Sequence, residues 1–192
     1  MDVGANIGVD SIILSKLGYE VHSLEPDPQL FEQFIHLSKL NNCQGIKAHN
    51  KALSDSAGVV EFVRVHGNTT ANHIKGVREF YGDADFLEVE TVTYQELGVK
   101  PDLIKINTEG HEATIVSSIS LEDWQTMDAF VEIHNDRNGE DVYKYFQGSG
   151  MNIFSQSLGW QKINSLKEMP VTNKVGYVFV SSKPEMPWSA DN

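Results

Sequence analysis

Apolar residues in this chain follow two rhythms, short runs of strand length and longer stretches at helical spacing. The two alternate through the first part of the sequence. Val9, Ile12, Ile13 and Leu17 recur at helical spacing, and Gly18 offers a stop. "YEVHSLEP" reads as a short strand carrying Val21 and Leu24. Asp27 as N-cap and Pro28 at the first helical position start a second helix, whose stripe of Leu30, Phe34 and Leu37 is widened by Phe31. Asn41 and Asn42 can end it. "GIKAHNKALS" reads as a third strand, "DSAG" as a turn and "VVEFVRV" as a further strand. From His66 to Phe86 the pattern weakens, which predicts a loop with one helical turn. "LEVETVTY" and "DLIKIN" restore strand character, and "TEGHEATIVSSI" begins a helix with Ile115, Val116 and Ile119 on one side. "AFVEIH" predicts a strand, Glu140–Phe146 a helix, and "MNIFSQS" and "GYVFVSS" two closing strands.

Buried strands alternating with helices imply an α/β fold with a doubly wound, mostly parallel sheet covered on both faces. The consecutive strands near the end imply an antiparallel finish. No repeat or second domain boundary is evident, so residues 1–183 are expected to form one domain and 184–192 a flexible tail. The first strand is expected to be truncated, since only Met1 precedes Asp2.

Composition narrows the field of functions. The 192 residues carry a formal charge of −12, with 15 Lys and Arg in no dense run, which argues against nucleic acid or anionic membrane as partner. No stretch is long and apolar enough for a membrane span, and the opening residues do not lead one to expect a secretory signal. The single Cys43 fits a reducing compartment, so a cytoplasmic location is expected. "NTT" at Asn68–Thr70 reads as a chance sequon.

The candidate chemistry begins at "DVGANIG", where a strand turns into a helix. Glycine there permits a tight turn and close approach of a ligand to the main chain, and the helix start offers unpaired amides. Asp2 would face a cationic or amine-bearing part of that ligand. A dinucleotide fingerprint carries glycine at the middle position, so Asn6 argues against a nicotinamide oxidoreductase. Glu25 ends the second strand, where a carboxylate can accept both hydroxyl hydrogens of a ribose.

"DVGANIG", "LEPDPQLFEQF", "KALSDSAGVVEF" and "DLIKINTEGHE" occur in an order and spacing that resemble the FkbM-type methyltransferases, from about Asp2 to His134. The resemblance implies a Rossmann-like methyltransferase fold and S-adenosylmethionine as cofactor. It implies that Asp2, Gly4, Asn6 and Gly8 surround the methionine portion, that Glu25 holds the ribose, and that Ser54 and Asp55 lie near the adenine. Asn107, also expected among the cofactor-binding residues, stands where the family usually has Asp, keeping the hydrogen-bonding size without the charge.

In such a sheet the ligand crevice lies beyond the carboxyl ends of the strands. That places Asn107, Glu109 and His111 after one strand and Glu132, His134 and Asn135 after the next, on one rim. Glu109 and His134 are the candidate catalytic residues, as proton acceptors or positioning groups. The rim could also hold a divalent metal, but such a site favours two carboxylates with an amide, and Asn107 removes one; no metal is expected. "HGNTTANHIKG" is expected to border the acceptor pocket. The activity implied is methyl transfer, with O-methylation of a small-molecule or glycan hydroxyl as the expectation. A cofactor-binding protein without catalysis stays open beside it.

Overall fold

The computed structural model describes residues 1–170 and 176–188. Its elements run β1 (Asp2–Val3), α1 (Val9–Lys16), β2 (Val21–Leu24), α2 (Pro28–Leu40), β3 (Ile46–His49), β4 (Ala52–Leu53), β5 (Gly58–Val65), β6 (His73–Ile74) and β7 (Ala84–Val92). There follow α3 (Tyr94–Leu97), β8 (Leu103–Ile106), α4 (Glu112–Ser118), α5 (Leu121–Trp124), β9 (Asp128–Glu132), α6 (Asp136–Phe146), β10 (Asn152–Ser155), β11 (Gln161–Lys162) and β12 (Tyr177–Ser181).

The main sheet has the order β11-β10-β12-β9-β8-β1-β2-β3. Strands β3, β2, β1, β8 and β9 are mutually parallel, and β12, β10 and β11 close the sheet antiparallel. This is the mixed α/β architecture that the alternation implies. β1 is only two residues long, yet it lies between β2 and β8. The chain winds outward from β1 in both directions, so the crevice of the fold opens above β1. Val3, Leu24, Ile104, Ile106, Val131 and Val180, all buried, carry the sheet through the core.

A second sheet, β4-β7-β5-β6, departs from expectation. "GIKAHNKALS" is not one strand: β3 belongs to the main sheet and β4 to the second. Between them the side-chain amide of Asn50 donates to the carbonyls of Glu25 (2.8 Å) and Pro26 (3.0 Å), replacing ladder bonds with a bend. The His66–Phe86 stretch does contain one helical turn, at Thr69–Ala71, but also β6 and the start of β7. There Asn72 Oδ1 accepts the Val65 N–H at 2.9 Å, so polar side chains share the pairing and no apolar rhythm reveals it.

Three smaller corrections have local causes. Val9, Ile13 and Leu17 are 52%, 53% and 69% exposed, so the α1 stripe does not face the core; the helix buries Ser11 instead. α6 begins at Asp136 rather than Glu140, because Asn135 caps it by accepting the Asn138 N–H at 2.9 Å. The helix α3 follows a capping box between Thr93 and Glu96. At the other end of the chain, the Trp188 ring stacks on Phe130 with centroids 5.6 Å apart. Residues 189–192 of the expected tail lie outside the described residues. Among the described residues, no helix is long and apolar enough to cross a membrane.

Candidate active site

The turn after β1 is built from residues that only this backbone admits. Gly4 and Gly8 have φ of 79° and 83°, and Asn6 between them has φ 53°. A Cβ on Gly4 would lie 1.8 Å from the Asn107 carbonyl oxygen, and one on Gly8 would lie 1.8 Å from Phe34 Cδ2. Conformation and space therefore both require glycine at the two positions. Asn6 tolerates the left-handed region because its Oδ1 accepts the N–H of Ile7 at 2.8 Å. Its own backbone N–H donates to Glu25 Oε2 at 2.7 Å. Glu25 Oε1 accepts the Asp27 N–H at 2.8 Å, so both carboxylate oxygens are anchored. Glu25 is 4% exposed, and burial lifts its pKa to about 7 against the pull of those two donors.

Turn and carboxylate face a cavity of about 240 Å³, walled by Gly4, Asn6, Glu25, Leu53 and Asn107 and roofed by Phe62 of the second sheet. Thr69, Thr70 and Asn72 line it too, so the "HGNTTANHIKG" segment borders this cavity beside Glu25. The second sheet is tied down by Asp27, which caps α2 and takes both Arg64 Nε (2.7 Å) and Nη2 (2.6 Å). Asn72 Nδ2 donates to the same carboxylate at 3.1 Å.

Asp2, Gly8, Ser54 and Asp55 stand behind the cavity wall rather than on it. Asp2 is fully buried beneath the floor, accepting from Ser11 Oγ at 2.6 Å and from Lys105 Nζ at 3.0 Å. Lys105 does line the cavity; its ammonium also meets Asp10 at 2.9 Å, and these carboxylates raise its pKa against the opposing effect of burial. Ser54 Oγ pairs with His111 Nε2 at 3.0 Å and with Asp55 at 3.1 Å. His111 reaches the cavity wall, and burial holds its pKa down.

The rim assembles from distant segments. Glu109, in the left-handed region at φ 57°, is ion-paired with Arg78. His134 Nδ1 lies 3.6 Å from Glu109 Oε2. Glu132 is 7% exposed and is the cross-strand neighbour of Tyr177, whose hydroxyl accepts from Asn107 Nδ2 at 2.8 Å. Burial raises Glu109 and Glu132 to about 7 each, aided in Glu132 by the negative charges of Glu109 and Glu112. Burial also lowers His134, with the Arg78 charge adding to the effect. The Tyr177 hydroxyl is pushed up to about 12 by burial and by Glu132. Buried Glu112 braces the loop, accepting from Thr108, Gly110 and Asn138. Asn135, expected on the rim, serves as the α6 cap.

Residues 2–159 match the methyltransferase FkbM domain. The chain belongs to that family. No curated protein is significantly similar to it in sequence. Among solved structures, the methyltransferase FkbM from Methylobacillus flagellatus superposes with a TM-score of 0.60 at 13% identity, covering 93% of this chain and 42% of that one. The chain thus spans less than half the length of that relative. A Streptococcus mutans protein assigned as a methyltransferase, solved in complex with SAH, gives a TM-score of 0.53 at 10% identity over 93% of this chain and 85% of that one. At such identities these likenesses speak for the fold.

Within this FkbM domain the structure brings Gly4, Asn6, Glu25 and Asn107 to one cavity and Glu109 and His134 to one rim. Sequence reasoning missed Lys105, Phe62, Arg78 and Tyr177, and reached Asn72 only as part of the "HGNTTANHIKG" segment. Lys105 did leave a signal: a lysine inside the apolar strand "DLIKIN" must find carboxylates if it is buried. The others left none, since each joins the site only through pairing across the fold.

Proposed function

We propose that this FkbM domain is an S-adenosylmethionine-dependent methyltransferase acting on a hydroxyl of a small molecule or glycan. The observation that carries the cofactor reading is Glu25, fixed through both oxygens at the edge of a glycine-turned cavity. A carboxylate so held keeps lone pairs for the two hydroxyls of a ribose. The Gly4–Gly8 turn admits the methionine portion close to the main chain, and Lys105 gives the floor a cation suited to its carboxylate. Asp2 serves that end of the site through Lys105, and Ser54 and Asp55 serve the adenine end through His111.

Methyl transfer is an in-line displacement. An oxygen lone pair of the acceptor forms the new bond to carbon, the carbon–sulfur pair leaves with sulfur, and the acceptor proton must go to a base. Holding the nucleophile in line is the larger part of the catalysis. Glu109, which lines the cavity beside Asn107, and His134, whose Nδ1 lies 3.6 Å from Glu109 Oε2, are the candidates to receive the proton. The net charge of −12 favours an uncharged or cationic acceptor over nucleic acid.

The test is calorimetry with S-adenosylmethionine and S-adenosylhomocysteine on the wild type and on Glu25→Ala. Binding of both, weakened at least tenfold in the variant with its unfolding transition intact, is the expected result. Unchanged affinity in Glu25→Ala removes the ribose assignment, and binding of NAD in place of the sulfonium compound removes the methyltransferase reading.

A further inference from the structure

We propose that Glu109, Glu132 and His134 form a binding site for a divalent first-row transition ion. Donor atoms of the three side chains lie within 4.8 Å of one another. Glu132 ends β9, His134 lies two residues past it and Glu109 three residues past the end of the adjacent strand β8, so the main sheet brings the three segments side by side. Metal–ligand bonds of about 2.0–2.2 Å keep two ligands of one ion within roughly 4.4 Å, so small side-chain rotations suffice to close the group.

The electron-pair donors here outnumber the groups that could use them. Among the described residues, Glu132 Oε2 and His134 Nδ1 have no hydrogen-bond partner, although Glu132 is only 7% exposed. A buried carboxylate oxygen without a donor is unfavourable. Arg78 answers part of the charge by pairing with Glu109. A guanidinium offers only N–H donors, however, and cannot engage the lone pair of a neutral imidazole. A metal ion accepts pairs from all three groups at once. Two carboxylates balance its charge, and the imidazole favours manganese, iron or zinc over calcium and magnesium. Three protein ligands leave positions open for water or an acceptor oxygen, and in the metal-bound state Glu109 and His134 are ligands and no longer free to accept a proton. Glu109 also lines the cavity, which puts the ion at its edge.

Cation binding does not require the methyl-transfer reading, and the experiment keeps the two apart by omitting cofactor and acceptor. Chelator-treated protein is titrated with Mn²⁺, and loss of the free-ion electron paramagnetic resonance signal reports binding, with Zn²⁺ as competitor. One saturable equivalent is expected. Glu132→Gln, nearly isosteric, and His134→Ala should each weaken it at least tenfold, with thermal unfolding of the metal-free variants showing that both fold. Arg78→Ala, which removes the competing guanidinium, should tighten it at least threefold. Absence of saturable binding in both the wild type and Arg78→Ala overturns the site. Wild-type affinity in Glu132→Gln and His134→Ala overturns it equally.

Discussion

The turn proposed to cradle the cofactor and the rim proposed to face the acceptor lie on one sheet, yet they are assembled in opposite ways. The turn and strand end of the cradle come from residues close together in the chain, Gly4 to Asp27, and the polar atoms of Asn6, Glu25 and Asp27 are matched. Glu25 takes two backbone N–H groups, Asn6 accepts from its neighbour, and Asp27 is filled by α2, Arg64 and Asn72. The rim draws Arg78, Glu109, Glu132, His134 and Tyr177 from separate segments and leaves Glu132 Oε2 and His134 Nδ1 without a hydrogen-bond partner. The difference assigns two kinds of work. A cradle finished without its ligand is preorganised for one fixed partner, and a rim left open is completed by what binds there.

If the cradle is rigid, its glycines cannot yield, and the largest effect should come from Gly8→Ala. The added methyl would stand 1.8 Å from Phe34 Cδ2, a fully buried ring, at a φ of 83°. Overpacking and left-handed strain together should cost about 3 kcal/mol. Urea unfolding measures this as a lower midpoint at unchanged slope. A loss below about 1 kcal/mol would mean that the ring moves aside and that the cradle is as yielding as the rim.

The contrast also explains what could be read in the sequence. Gly4, Asn6, Gly8 and Glu25 were legible because the turn and the strand end that place them are local, and the cap at Asp27 lies beside the helix it caps, whereas the cap at Asn135 was read as a rim residue. The main sheet was legible because its strands are buried runs. Of the second sheet only β5 and most of β7 were legible, because β6 is two residues long and the start of β7, at Asp85 and Phe86, is exposed, so neither carries an apolar rhythm. Glu109 and His134 could be placed on one rim from strand order alone. Their partner Arg78 could not, since it stands 31 positions from Glu109 in a loop without periodicity.

A smaller effect, in affinity, sharpens the cradle's side of the comparison. Glu25 has its folded pKa raised to about 7 from an ordinary carboxyl value of 4.5. The folded state therefore binds the proton more tightly than the unfolded one. The stability this contributes is complete below about pH 4.5 and is lost as pH rises through 7. Ribose hydroxyls need the ionised acceptor, so cofactor affinity should move the other way and rise across the same interval. Calorimetry from pH 5.5 to 8 should show this rise in the wild type, with a much flatter profile in Glu25→Gln. Parallel profiles would mean that the buried carboxyl is not the ribose acceptor.

The smallest effect tests where the cradle's support lies. α1 carries an apolar repeat that reads as a core face, yet Ile13 is 53% exposed while Ser11, fully buried, donates to Asp2 at 2.6 Å. The helix is thus held by its first turn and by a hydrogen bond beneath the cavity floor. Removing an exposed side chain changes no buried contact, so Ile13→Ser should alter unfolding free energy by less than about 0.5 kcal/mol and leave cofactor affinity unchanged. Urea denaturation and calorimetry measure both. A loss above about 1 kcal/mol would place the stripe in a buried contact in the folded protein, and the support of the cradle would then be apolar packing rather than the Ser11–Asp2–Lys105 chain.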